Sequence, residues 1–157
     1  MNNTIRFVLA VAVPLSVGAL SGFATAGGVA TWYPTLTKPT FNPPAWIFGP
    51  VWTVLYIMMG IAAFLVWRQG SPTPWVKPAL ALFTVQLIFN GLWSVLFFGM
   101  QSPGLAFAEI ILLLLAIVAT LWLFWRVVPI AGMLLLPYLA WVMFATLLNG
   151  SIWLLNR

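Results

Sequence analysis

The sequence predicts an all-α integral membrane protein, a bundle of five transmembrane helices, on three observations. Charged residues make up 4% of the 157-residue chain and hydrophobic residues 64%, whereas a water-soluble domain carries about 25% charged residues. Five apolar runs, at about 7–26, 45–67, 76–98, 104–125 and 130–155, each reach the ~20-residue length of a helix that crosses hydrocarbon. None of them alternates apolar and polar residues with period two, as the strands of a membrane barrel do. The connections are too short for a second domain, so residues 1–157 form a single five-helix transmembrane domain.

The first run follows Arg6 and ends near Ala24-Thr25-Ala26, which resembles the small-residue end of a signal peptide. Its apolar stretch from Phe7 to Phe23 exceeds the usual 7–15-residue signal core, so it is read as a retained helix. Segment 27–44, GGVATWYPTLTKPTFNPP, is the one substantial loop. Its four prolines restrict the free loop and suit an ordered lid; its aromatic residues also suit an interfacial belt. The second loop, at 69–75, reads as a polar turn. The fourth run holds Glu109, the only acidic residue of the chain. A carboxyl inside hydrocarbon must face protein, so Glu109 is expected to anchor the first loop or a neighbouring helix end, with Lys38 and Arg157 on its side. Pro14, Pro50 and Pro137 each free a carbonyl four residues back. For the last two these are the carbonyls of Trp46 and Met133, beside the expected pocket; a plain kink that aids packing is the first reading, and a ligand-facing carbonyl the alternative.

The chain has no cysteine and no histidine. That excludes disulfides, thiol and Ser-His-Asp catalysis and histidine-ligated metal, and no metal site is assigned. No phosphate-binding glycine loop occurs, and six Lys/Arg give no nucleic-acid footprint. Those cations report topology instead. Arg6, Arg68, Lys77 and Arg126 fall on the side of the N-terminus, and Lys38 and Arg157 on the other. Four against two predicts a cytoplasmic N-terminus with the first loop outside.

Helical phase groups the candidate site residues. Gln86, Asn90, Trp93 and Phe97 share one face of the third run. Phe48, Trp52, Tyr56 and Met59 form a stripe on the second, and Tyr138, Trp141, Ala145, Asn149, Ile152 and Asn156 a stripe on the fifth. Rings and amides together suit a cavity for a large flat ligand. The amides alone fit equally well as hydrogen-bonding glue between helices. The stripe Gly18-x3-Gly22-x3-Ala26 permits close helix approach, within the bundle or across a dimer.

Trp32-Tyr33, Leu36-x-Lys38-Pro39-x-Phe41-x-Pro43-Pro44 and Trp46-x-Phe48-Gly49-Pro50-x-Trp52-Thr53-x-x-Tyr56 resemble the TspO/translocator-protein family, which includes the peripheral benzodiazepine receptor. Gln86-Leu87-x-x-Asn90-x-x-Trp93-Ser94 and Pro137-Tyr138-x-x-Trp141-x-x-Phe144-Ala145-Thr146-x-Leu148-Asn149 are similar to its third and fifth helices. The resemblance implies a membrane-embedded tetrapyrrole-binding protein, taking porphyrins such as protoporphyrin IX, or haem, and acting in porphyrin transport or stress-linked regulation. It implies a ligand site at Trp32, Phe48, Trp52, Tyr56, Gln86, Asn90, Trp93, Phe97, Tyr138, Trp141, Ala145 and Asn149, with no required cofactor. It further implies benzodiazepine-site drugs and membrane lipid as partners, and a homodimer. The alternatives are light-dependent porphyrin breakdown, with Trp52 and Trp141 the catalytic candidates, and a sterol- or lipid-binding subunit. The family's proposed sterol motif has a Tyr and an Arg where this chain has Gly150 and Leu154, which sets high-affinity cholesterol recognition in doubt.

Overall fold

The computed structural model describes residues 2–70 and 72–157, so position 71 of the second loop lies outside the described residues. Helix α1 spans Asn3–Thr31, α2 Ala45–Trp67, α3 Val76–Ser94, α4 Pro103–Val127, α5 Pro129–Leu134 and α6 Leu136–Leu155. A single tight turn, Tyr33–Thr35, opens the first loop, and a wider π-type stretch, Val95–Gly99, continues α3. Five helical stretches are long and apolar enough to cross a membrane, with α3 and its π stretch forming one and α5 with α6 another. No strand occurs among the described residues.

Many large apolar side chains point outward. Phe23 is 87% exposed and Leu115 63%, a pattern that only lipid satisfies over so much surface. Cations and rings pair at both ends. Arg6 stands over Trp67 and Arg68 over Phe64, each 6.0 Å from the ring centroid, and Arg126 lies 5.1 Å from Trp122. At the opposite end Lys38 lies 4.7 Å from Tyr33 and Arg157 5.9 Å from Trp153. Amphipathic rings with cations beside them are what a membrane–water boundary selects.

Helix α1 is longer than its apolar run predicts. The first loop was expected over 27–44, yet the helix runs on to Thr31. Gly28 permits close packing, since a Cβ there would collide with the carbonyl of Phe98. The Thr31 hydroxyl closes the end by donating to the Gly27 carbonyl at 2.8 Å. The fifth run, expected to be continuous over 130–155, is broken at Leu135. Pro137 lacks an N–H and its ring crowds the preceding turn. Pro14 and Pro50, by contrast, are accommodated inside α1 and α2.

The helices close into a ring in the order α1, α2, α5–α6, α4, α3 and back to α1. One half is filled: Met59, Ala62, Val66, Ala79, Ile117, Phe124 and Ala131 are buried together in one core. The half beneath the first loop has only a small second core, built around Phe97, Ala106, Leu148 and Ile152. The space left in that half is the candidate site.

Candidate functional site

A cavity of about 850 Å³ lies between α1, α2, the end of α3 and α6, beneath the first loop. Eight residues expected from the sequence line it: Phe48, Trp52, Tyr56, Trp93, Phe97, Trp141, Ala145 and Asn149. The rings hold each other in place. Trp52 stacks on Tyr56 with centroids 5.5 Å apart, and Trp93 stacks on Phe97 at 5.3 Å. Phe48 meets Trp141 edge-on at 5.9 Å. Trp93 donates its indole N–H to Asn149 Oδ1 at 2.9 Å, and Asn149 Nδ2 donates to the Pro103 carbonyl at 2.8 Å. This cross-tie joins α3, α6 and the start of α4, so the wall is positioned by hydrogen bonds as well as by packing.

The other four expected residues lie outside the lining. Trp32 packs edge-on against Phe97 at 5.7 Å, behind the wall. Gln86, Asn90 and Tyr138 form with Tyr56 a buried chain across three helices. Tyr56 donates its hydroxyl to Asn90 Oδ1 at 2.6 Å, Asn90 Nδ2 donates to Tyr138 Oη at 3.1 Å, and Tyr138 donates to Gln86 Oε1 at 2.8 Å. These amides tie helices together, and Tyr56 alone of the chain also faces the cavity.

The α1 wall is absent from the sequence-based site. Gly18, Ala19, Gly22, Thr25 and Ala26 line the cavity opposite the rings. Their signal was the small-residue stripe. Gly18 is forced to be small, because a Cβ there would run into the Tyr56 ring. Gly22 and Gly49 have nothing within 4 Å of an added Cβ. Together with exposed Ala19, Ala26 and Thr53 they frame an opening between α1 and α2 that faces lipid.

The first loop is tied down at several points, as a lid would be. Asn156 brackets Thr37: its Oδ1 accepts from the Thr37 N–H and its Nδ2 donates to the Thr37 carbonyl, both at 2.9 Å. Tyr33 donates to Asn42 Oδ1 at 2.9 Å, and Lys38 Nζ donates to the Leu36 carbonyl at 3.0 Å. Burial pushes the Tyr33 phenol above its ordinary pKa, so it stays a neutral donor at physiological pH. Tyr33 and Pro34 both roof the cavity.

Glu109 does not anchor this loop. It is buried on α4, and neither carboxyl oxygen has a hydrogen-bond partner among the described residues. Lys38 turns to loop carbonyls and Arg157 to Trp153, so both expected partners are engaged elsewhere. Glu109 shares its buried face with Ala106, Ile110 and Leu113 and does not line the cavity. Trp46 and Met133, whose carbonyls prolines were expected to free beside a pocket, are exposed and outside the lining. No group of His, Cys, Asp or Glu able to hold a metal occurs among the described residues.

The profile of the TspO/MBR family matches residues 10–154. The chain is 41% identical to the tryptophan-rich protein TspO of Archaeoglobus fulgidus, over 98% of this chain and 99% of that protein. It is 44% identical to the protein of that name from Chlorobaculum tepidum, over 99% of both. It is 40% identical to the translocator protein of Homo sapiens, over 94% of this chain and 86% of that one. With five helices long and apolar enough to cross a membrane, the chain is a multi-pass integral membrane protein and belongs to the TspO/MBR family.

Proposed function

We propose that the cavity binds a tetrapyrrole, a porphyrin such as protoporphyrin IX or haem, and that the protein serves porphyrin transport or stress-linked regulation. The observation that carries this reading is the cavity itself: about 850 Å³, walled by Phe48, Trp52, Trp93 and Trp141. That volume falls in the ~300–1,000 Å³ range of small-molecule sites. Flat rings stack on aromatic faces, and the smooth α1 wall of glycine and alanine leaves room for a broad, flat body. Without His or Cys the protein cannot ligate haem iron in the usual His or Cys manner, so stacking and hydrogen bonds are the main hold on such a ligand. Lys38, whose Nζ lies 3.4 Å from the carbonyl of the roof residue Pro34, is the nearest loop cation for an acidic side chain of the macrocycle.

The opening between α1 and α2 suits an apolar ligand arriving from the bilayer. Synthetic benzodiazepine-site ligands fit the same chemistry. The orientation proposed is a cytoplasmic N-terminus with the lid outside, and the assembly proposed is a homodimer. A second reading rests on Trp52 and Trp141 both lining the cavity: an indole in contact with an excited porphyrin can donate an electron, which would favour light-dependent breakdown. Titrating purified protein with protoporphyrin IX in darkness and then in light separates these readings. Saturable tryptophan quenching with intact porphyrin bands supports binding. Light-dependent loss of the bands, weakened in Trp52→Phe and Trp141→Phe, supports breakdown. Absence of quenching in darkness rejects both.

A further inference from the structure

Helix α3 does not end as an ordinary helix does. Over Val95–Gly99 the backbone widens into a π-type turn, a geometry that is rare and concentrated at functional sites. The Met100 N–H reaches five residues back to the Val95 carbonyl at 2.7 Å, and the Ser102 N–H reaches six back to that of Leu96 at 3.1 Å. An ordinary left-handed closure reaches five back with its last N–H, so this end is one residue too wide. Gln101 closes it at φ 53°, where glycine is the usual residue, so the turn is held against backbone strain.

The width decides where Phe97 points. At 3.6 residues per turn, side chains four apart on an ordinary helix lie about 40° out of line. The wider turn brings Phe97 back over Trp93, and the two rings stack with centroids 5.3 Å apart and an interplanar angle of 27°. Trp93 is fixed, because its indole N–H is bonded to Asn149. Phe97 is buried, with Trp32 edge-on at 5.7 Å and Phe98 at 4.8 Å. Trp93 and Phe97 both line the cavity. One face of an indole that a flat ligand could stack on is therefore covered by a side chain of the same helix.

The widened turn is seated in a notch. Gly28 of α1 lies so close to the Phe98 carbonyl that a Cβ there would collide with it. A slip of one residue satisfies the same two donors: the Met100 N–H returns to Leu96 and the Ser102 N–H to Phe97, as at an ordinary helix end. That slip draws Phe98 out of the notch and swings Phe97 about 40° off Trp93.

We propose that Phe97 is a built-in competitor for the ligand. The widened end of α3 parks its ring on Trp93, and a flat aromatic ligand binds by selecting the slipped register, in which that face is free. This rests on the tetrapyrrole site proposed above and adds that the empty cavity is occluded by its own helix. A ligand shifts two registers only by binding them differently, and the uncovered Trp93 face supplies the difference.

The test uses the full chain in nanodiscs, with protoporphyrin IX added in darkness and Kd read from the porphyrin's own absorbance. The ligand must break one aromatic pair, so Phe97→Leu, which fills the same place without a ring, should tighten binding about threefold to tenfold. Gly28→Ala lies outside the cavity lining but crowds the Phe98 carbonyl, and should tighten binding in the same direction. The two changes together should gain no more than the larger alone, since both remove one competitor. Weaker binding in Phe97→Leu assigns the ring to the wall that holds the ligand and overturns the proposal. So does a double variant whose gain is the product of the two. A ligand-free readout separates this from failure of the site itself. With 4-fluorophenylalanine at position 97, the empty protein should show two fluorine resonances, the one shifted by the Trp93 ring current dominant, and Gly28→Ala should move population to the other. A single resonance in both proteins overturns the two-register turn even where porphyrin binds. Two resonances in a protein that does not bind porphyrin support the turn and reject the tetrapyrrole reading.

Discussion

Tyr138→Phe separates the residues that hold the bundle from those that face its cavity. The Tyr138 side chain is 1% exposed, and its hydroxyl both accepts from Asn90 and donates to Gln86. Removing that oxygen leaves Asn90 Nδ2 and Gln86 Oε1 unpaired, beside a Gln86 Nε2 that already lacks a partner among the described residues. A buried orphan costs about 1–3 kcal/mol in a soluble protein, whereas hydrogen bonds between membrane helices average nearer 0.6 kcal/mol. Two lost bonds therefore destabilise by about 1–6 kcal/mol, and Tm should fall by about 2–4 °C for each kcal/mol lost. Tyr138 does not line the cavity, so porphyrin affinity should stay within about threefold. Thermal unfolding in detergent and a porphyrin titration on the same preparation measure both quantities. An unchanged Tm with a tenfold loss of affinity would place Tyr138 at the ligand and refute the division drawn here.

Three other perturbations probe separate parts. Asn156→Ala removes both hydrogen bonds to Thr37, an exposed pair contributing about 1–2 kcal/mol to holding the lid; proteolysis within 32–44 should speed up about tenfold while the helices stay folded. Glu109→Gln removes an ionisable group that has no hydrogen-bond partner among the described residues, so thermal stability should hold or rise and porphyrin affinity stay within a few-fold; a large loss of either would overturn that reading. Single cysteines at Thr35 and Gln69 test orientation in intact cells: an impermeant thiol reagent should label position 35 and spare position 69, and the reverse pattern inverts the topology.

The helices were legible because a membrane span needs only length and apolar composition, and α2 begins and ends where its run does. Helix ends were less so. Gly27 and Gly28 break helices in water, but against the Phe98 backbone Gly28 is what close packing requires, and hydrocarbon favours keeping the helix. Helical phase placed Gln86 and Asn90 on an inward face. It could not say whether that face met a cavity or another helix, because the answer lies with Tyr56 and Tyr138 on α2 and α6. The same ambiguity hid the α1 wall: a glycine–alanine stripe reads alike whether it touches a helix, as at Gly18, or borders open space, as at Gly22. Glu109 was expected to anchor the first loop or a neighbouring helix end, but only three-dimensional packing shows that Lys38 and Arg157, on its side, turn to loop carbonyls and to Trp153.

The central claim is that the aromatic cavity beneath the lid takes the macrocycle, and Ala145→Phe tests it most directly. Ala145 lines the cavity one turn from Trp141, so the added ring projects into the space and leaves the hydrogen-bonded ties of Asn90, Tyr138 and Asn149 intact. Equilibrium titration with protoporphyrin IX in darkness should show saturable binding to the parent protein and a loss of more than tenfold in the variant, above about 1.4 kcal/mol, with Tm within a few degrees. Equal affinity in a folded Ala145→Phe protein would contradict the account and move the ligand elsewhere on the molecule.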